Sequence, residues 1–124
     1  MSNKIGEMAW LDLTVDNASE IKDFYQRVIG WQVEDVAMGE HNDYVMKSPD
    51  SGEAISGICH ATGGNAGMPA TWLPYFLVED INNAVANVTE LGGELLTEIK
   101  QVGKDSYVMV KDPAGAVCSL YQKG

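Results

Sequence analysis

The hydrophobic and polar residues follow the same order twice along the chain. An alternating stretch at residues 8–15 predicts a strand, and residues 18–29 carry apolar side chains at helical spacing. Three short alternating stretches follow, at residues 31–38, 43–48 and 53–60. The same order, one strand, one helix and three strands, returns in residues 72–122. The pattern therefore predicts an α+β fold made of two tandem βαβββ modules.

The repeat is also visible in single residues. The segment "YVMKSPDSG" at residues 44–52 matches "YVMVKDPAG" at residues 107–115, an offset of 63 residues. Without a gap, this offset also aligns Val15 with Val78, Gly30 with Gly93 and Ser56 with Ser119. Two similar units in one chain are typical of a duplicated module. We expect a single domain over residues 1–124, with modules at about 5–60 and 70–123 and a Gly-rich linker at residues 60–70.

Both predicted helices have recognisable ends. Asn17, with Glu20 three residues later, and Asp80 are the predicted N-caps. Gly30 and the pair at residues 92–93 are the predicted stop signals. The expected apolar stripes are Ile21, Phe24, Tyr25 and Val28 in the first helix, and Ile81, Ala84, Val85, Val88 and Leu91 in the second.

The composition restricts the partners. The formal net charge is −10, and Arg27 is the single arginine. Nucleic acids and anionic membranes need a basic surface, which this sequence lacks. No run approaches the roughly 18 apolar residues of a spanning helix, and the first ten residues lack the pattern of a secretion signal. We therefore expect a cytoplasmic protein that binds neither nucleic acid nor membrane. Cys59 and Cys118 have no metal-finger or CxxC spacing, and we expect them to be buried thiols in strands.

Three segments resemble the vicinal oxygen chelate superfamily, which includes glyoxalase I, bleomycin-resistance proteins and extradiol dioxygenases. They are "DFYQRVIGW", "VEDINNAVANVTELGG" and "VKDPAGAVCSLYQ". The resemblance covers almost the whole chain, and it implies two modules whose strands curl round a shared concave cavity. It also implies a homodimer, because the family commonly pairs modules between chains. Since one scaffold can host unrelated activities, the fold by itself does not assign a function.

The resemblance further implies four metal-ligand positions, usually occupied by His, Glu or Gln. In this sequence they fall on Trp10, Ser56, Leu73 and Ser119. Indole and isobutyl groups offer no lone pair to a cation, and serine hydroxyls are poor ligands without a carboxylate or imidazole beside them. We therefore expect no metal cofactor at these positions. The two histidines, His41 and His60, show no metal-binding spacing and are expected at the surface or at a strand end.

The cavity implied by the family register would combine aromatic and aliphatic walls with a few polar groups. Such a wall suits a small, flat or cationic molecule, although the same aromatic side chains could simply fill the cavity as core. Trp72 would lie near its rim. The expected wall residues are Trp10, Asp12, Thr14, Ser56, Leu73, Tyr75, Leu77 and Ser119.

The sequence therefore predicts a metal-free protein that binds a small aromatic or cationic molecule. The alternative is a lyase, isomerase or dioxygenase of the same family, with an atypical metal site or with Asp12 as acid or base. A solvated, outward-facing Asp12 and a purely structural or interaction module are the remaining alternatives.

Overall fold

The computed structural model describes residues 4–62 and 67–124 and contains, within them, two helices and nine strands. The elements are β1 (Met8–Val15), α1 (Ala18–Ile29), β2 (Gln32–Ala37), β3 (Asn42–Lys47), β4 (Ala54–His60), β5 (Trp72–Leu77), α2 (Ile81–Glu90), β6 (Glu94–Leu95), β7 (Lys100–Val102), β8 (Asp105–Lys111) and β9 (Val117–Gln122). The α+β class and the two tandem modules are confirmed, with one additional strand, β7, in the second module. Residues 63–66 of the predicted linker lie outside the described residues. No helix in the described ranges is long and apolar enough to cross a membrane.

Contacts between residues divide the chain into two compact units. The α1 unit comprises Leu11–Trp72, and the α2 unit comprises the residues up to Trp10 together with Leu73–Gly124. The division falls inside β1, because the chain before it pairs with β5. Gly6 donates its N–H to the Leu77 carbonyl at 2.8 Å, and Leu77 donates its own to the Glu7 carbonyl at 2.9 Å. The single domain and the shared cavity stay predictions.

In the α1 unit, an antiparallel meander of β2, β3 and β4 is extended by the second half of β1. β4 pairs with β1 in parallel, so that Leu13 lies opposite Ile58. The antiparallel pairing of β3 and β4 places Tyr44 opposite the same Ile58. Apolar side chains on this side of the sheet pack against α1. The buried cluster consists of Leu13, Ala18, Tyr44, Met46 and Ile58.

Helix α1 begins and ends where the sequence predicts, but its details differ from the prediction. Asn17 occupies the N-cap position without a side-chain cap hydrogen bond, and Gly30 ends the helix in the left-handed region at φ 91°. Of the predicted stripe, Ile21 and Tyr25 pack against the buried cluster. Phe24 and Val28, the other two members of the stripe, are 56% and 63% exposed. The apolar stripe is wider than the area that β1 and β4 cover.

In the α2 unit, β5 pairs in parallel with β9, and β9 pairs with β8. Both β6 and β7 pair with β8. The first of the three strands expected after the second helix, "ELLTEI" at residues 94–99, forms only the short β6. The hairpin of β7 and β8, which turns at Gly103 with φ 61°, was not predicted.

Helix α2 packs on one side of this second sheet. Asp80 caps it as predicted, accepting the Asn83 N–H at 3.1 Å. Ile81 is buried with Val108 and Val110. Leu91, predicted as the last member of the helical stripe, lies one residue beyond the helix and is 74% exposed.

Candidate functional site

One side of the α2-unit sheet carries three tyrosines. Val108 and Val110 of β8 pack toward α2, so Tyr107 and Met109, which alternate with them, lie on the opposite side. We call that side the tyrosine face. Its members on β5, β8 and β9 are Leu73, Tyr75, Leu77, Tyr107, Met109, Ser119 and Tyr121.

The tyrosine rings contact one another above a buried floor. The ring of Tyr75 lies 6.0 Å from that of Tyr107 and 6.3 Å from that of Tyr121, measured between centroids. All three tyrosines are half-buried. Leu73 and Ser119 beneath them are buried. The face therefore offers aromatic surface from three neighbouring positions.

The polar groups of this face differ in how well they are paired. The Tyr121 hydroxyl donates a hydrogen bond to an Asp105 carboxylate oxygen. Burial, followed by that carboxylate, raises the pKa of Tyr121 to about 12. The same hydrogen bond, with one from the Gly124 N–H, lowers the pKa of Asp105. In contrast, Ser119 Oγ is buried and has no hydrogen-bond partner among the described residues.

The two units pair their corresponding strands in different registers. Tyr75 lies opposite Ser119 in the α2 unit. The offset of 63 residues predicts that Asp12 lies opposite Ser56, but Asp12 lies opposite Gly57. The repeat therefore slips by one residue at this strand pair.

The slip lies between β1 and β4 and not within the hairpin of β3 and β4. Met46 lies opposite Ser56 just as Met109 lies opposite Ser119, so the repeat holds in the hairpin without a gap. A one-residue slip against β1 exchanges the two faces of the strand. Ser56 therefore shares a face with Ile58 of the core cluster at α1, and Gly57 lies opposite Asp12 where Ser119 lies opposite Tyr75. The expected wall that contains both Asp12 and Ser56 is wrong.

Asp12 lies on the other side of the α1-unit sheet. Its neighbour Leu13 is in the core cluster, so Asp12 faces away from α1, as Thr14 does. Asp12 is half-buried in β1. Cys59, one residue beyond Ile58, shares this side. Burial, and then the charges of Asp12 and Asp43, raise the pKa of Cys59 to about 12, which keeps the thiol protonated. Both cysteines lie in strands as predicted, but they are half-buried and not fully buried.

Trp72 lies against helix α1. Its indole Nε1 donates a hydrogen bond to Tyr25 Oη at 3.0 Å, and the two rings meet edge to face with centroids 5.1 Å apart. Trp31 contacts both rings at 6.1 Å. A groove of about 540 Å³ runs beside these aromatic residues, and the exposed Phe24 forms part of its wall. Trp72 therefore belongs to an aromatic cluster on the helix side of the α1 unit.

The residues present do not fit the divalent ion of the family. Trp10 is half-buried in β1, and Leu73 and Ser119 are buried in the α2 unit. The four positions contain at most the two hydroxyls of Ser56 and Ser119, and neither an imidazole nor a carboxylate. Such a set lacks the donors that divalent metals require.

The structure brings His41, Asp43 and His60 together at one end of the hairpin of β3 and β4. The sequence prediction placed both histidines at the surface or at a strand end, and it did not connect them. Antiparallel pairing explains the convergence, because the residue before β3 lies beside the last residue of β4.

Comparison with known proteins identifies the family. A family model described as the Glyoxalase/Bleomycin resistance protein/Dioxygenase superfamily matches residues 7–120. The chain belongs to this superfamily. The predicted relationship to the vicinal oxygen chelate group is thereby confirmed.

Two relatives of this superfamily member have different names. CFP32 of Mycobacterium tuberculosis, named as a glyoxylase, is 30% identical over 121 residues, which cover 94% of this chain and 46% of that protein. The anthracycline biosynthesis protein DnrV of Streptomyces peucetius is 28% identical over 132 residues, covering 96% of this chain and 48% of DnrV. The chain therefore spans about half the length of these relatives.

Solved structures of the superfamily share the fold. A member from Vibrio splendidus 12B01 has a TM-score of 0.62 with 16% identity, covering 94% of this chain and 100% of that one. Methylmalonyl-CoA epimerase from Mycobacterium tuberculosis has a TM-score of 0.60 with 11% identity, covering 100% of this chain and 93% of that one. At these identities the likeness shows the fold alone.

Proposed function

We propose that this superfamily member binds a small aromatic or cationic molecule and needs no metal at the family's ligand positions. The observation that carries the proposal is the tyrosine face. Two of the family's ligand positions, Leu73 and Ser119, lie on it and provide apolar surface and a hydroxyl instead of metal donors. Binding at this face would therefore depend on aromatic contact.

The chemistry of the tyrosine face favours flat or positively charged ligands. An aromatic ring attracts a cation by roughly 0.5–2 kcal/mol per contact, depending on desolvation. The net charge of −10 favours cations further. The Ser119 hydroxyl has no hydrogen-bond partner within the described residues, and because it is buried, a polar group of the ligand would reach it only after the tyrosine rings move apart.

The proposal can be tested with a pair of probes that differ in charge. Calorimetric titration with 1-methylquinolinium and with uncharged quinoline should show tighter binding of the cation. Replacing Tyr75 by Leu should weaken binding of 1-methylquinolinium by about threefold to thirtyfold, corresponding to one cation–π contact. Ser119→Ala should lower the affinity for a ligand that uses the hydroxyl. Ser56→Ala is the matched control and should leave the affinity unchanged, because Ser56 faces α1. Equal affinity in wild type and Tyr75→Leu would refute binding at this face.

An enzyme of the same family is the alternative. It is favoured by the name of CFP32 as a glyoxylase and by the half-buried carboxylate of Asp12. In this case, the protein would be a lyase, isomerase or dioxygenase with an atypical metal site or with Asp12 as the acid or base. Asp12→Asn would then abolish turnover while leaving the affinity for 1-methylquinolinium unchanged. A loss of probe binding with turnover intact would instead favour a purely ligand-binding role for Asp12.

We also propose that two copies of the chain form a cytoplasmic homodimer. The relatives CFP32 and DnrV are about twice as long as the aligned chain, so two copies would supply a similar amount of structure. Light scattering after size-exclusion chromatography should give twice the 13.4 kDa of one chain. A mass of 13.4 kDa at micromolar concentration would refute the dimer. Cell fractionation tests the location.

A further inference from the structure

We propose that His41, Asp43 and His60 form a binding site for a divalent transition metal. His41 Nε2 and His60 Nδ1 each lie 3.4 Å from the same carboxylate oxygen, Asp43 Oδ1. The three potential ligand atoms all lie within 4.8 Å of one another. None of these three residues is at a ligand position of the family, and none belongs to the tyrosine face.

The distances suit metal coordination better than hydrogen bonding. Most N–H···O hydrogen bonds span about 2.7–3.2 Å, shorter than either contact with Asp43. Two ligand atoms about 2.0–2.1 Å from a tetrahedral ion lie about 3.3 Å apart. The spacing of 3.4 Å therefore matches two corners of a tetrahedral coordination shell.

The charge balance also favours a cation. Asp43 is only 7% exposed, and a buried carboxylate is costly unless a positive charge or several hydrogen bonds compensate it. Among the described residues, its ion-pair partners are the two imidazoles, with no lysine or arginine. Imidazoles carry a charge only when protonated. A divalent ion would supply the compensating charge while both rings remain neutral.

The backbone holds the three side chains in place. The His60 N–H donates to Asp43 Oδ1 at 2.9 Å, which fixes the carboxylate beside the end of β4. The His41 carbonyl accepts the Met38 N–H at 2.9 Å and closes the turn between β2 and β3. The rings of His41 and His60 meet edge to face, with centroids 5.0 Å apart. The ligand atoms lie within 4.8 Å of one another, against about 3.3 Å in a tetrahedral shell, so coordination needs a local approach of at most about 1.5 Å.

The ligand set indicates which ions would bind. Two imidazoles and one carboxylate suit Zn²⁺, Co²⁺, Ni²⁺ or Fe²⁺, whereas Mg²⁺ and Ca²⁺ prefer sites made of oxygen atoms. Three protein ligands leave a position open for water or another molecule. His41 retains 30% side-chain exposure, so this position can be reached from solvent.

Titration of the chelator-stripped full chain with Co²⁺ tests the site. Visible absorption should show saturable binding of a single ion, with the band intensity of tetrahedral coordination. His41→Ala and His60→Ala should each weaken binding by at least about tenfold, since even loss of an outer partner costs that much. Glu53→Gln is the matched control, because Glu53 is an exposed carboxylate at the opposite end of the hairpin. Binding that survives in the double variant His41→Ala/His60→Ala would overturn the proposal.

Nuclear magnetic resonance of the wild-type protein tests the metal site independently of whether the histidine variants fold. Addition of Zn²⁺ should shift the imidazole ¹⁵N resonances of His41 Nε2 and His60 Nδ1, while the second nitrogen of each ring changes less. Unchanged imidazole resonances at a saturating Zn²⁺ concentration would overturn the site. Tyr75→Leu should leave Co²⁺ affinity unchanged, so failure of the tyrosine-face proposal is distinguishable from failure of this one.

Discussion

Trp72 donates its indole N–H to the hydroxyl of Tyr25 at 3.0 Å, linking the first residue of β5 to helix α1. Replacing Tyr25 by Phe keeps the ring contacts but removes the acceptor. We expect the free energy of unfolding to fall by about 0.5–1.5 kcal/mol. Urea unfolding followed by tryptophan fluorescence measures this loss. Phe24→Leu is the control, since Phe24 is 56% exposed, and its loss should be smaller. Equal losses in the two variants would contradict a contribution from the hydrogen bond.

The two helix N-caps should differ in their response to alanine. Asp80 accepts the Asn83 N–H through its side chain, whereas Asn17 makes no side-chain cap bond. Asp80→Ala should therefore cost about 1 kcal/mol of unfolding free energy, and Asn17→Ala should cost only a few tenths. Chemical denaturation of both variants in the same buffer measures the difference. A larger loss for Asn17→Ala would show that its side chain caps the helix in solution.

The order of the elements could be predicted from the sequence because each element has a local signal. Gly30 ends α1 and Asp80 begins α2 at the predicted positions. Hydrophobic alternation similarly gave the strands around Leu13 and Val108. These features depend on residues a few positions apart, so they can be recognised without knowledge of the tertiary structure.

The register between distant strands could not be predicted in the same way. The one-residue slip between β1 and β4 depends on how these two strands pair, and it reversed the predicted face of Ser56. The convergence of His41 and His60 on Asp43 depends on the hairpin of β3 and β4. Similarly, Phe24 fits the helical stripe but is 56% exposed, because burial of a helix face depends on tertiary packing. The spacing of residues along the chain does not predict these long-range contacts.

Two buried hydroxyls provide a further test of packing. Ser56 Oγ and Ser119 Oγ have no hydrogen-bond partner within the described part of the chain. Replacing either serine by alanine should leave stability unchanged or raise it by up to about 2 kcal/mol, because an unpaired buried hydroxyl is removed. Ser19→Ala is the control, since Ser19 Oγ lies 2.9 Å from the Tyr44 hydroxyl and its loss should destabilise the fold. Thermal unfolding of the three variants measures the sign of each effect. Destabilisation by Ser119→Ala would indicate that a bound water satisfies its hydroxyl.

The Tyr121–Asp105 pair should contribute stability within a defined pH range. The hydrogen bond from Tyr121 lowers the pKa of Asp105, so the folded state binds this proton less tightly than the unfolded state does. The carboxylate therefore makes its full contribution to the free energy of unfolding above the unfolded-state pKa of about 3.9. This contribution is lost as the pH falls through the lower pKa of the folded state. The pKa of Tyr121 is raised to about 12, so the phenol contribution is complete below about pH 10 and is lost between about pH 10 and 12.

Replacing Tyr121 by Phe tests both edges of this range. The variant should raise the pKa of Asp105 toward its ordinary value, measured by carboxyl ¹³C resonances as a function of pH. In the wild type, phenolate absorption should include one tyrosine that ionises near pH 12, and the variant should lack it. The difference in urea midpoint between wild type and variant should be largest between about pH 5 and 9 and should shrink outside that range. A difference that stays constant from pH 3 to about 11 would mean that the Tyr121 ring, and not its hydrogen bond to Asp105, stabilises the fold.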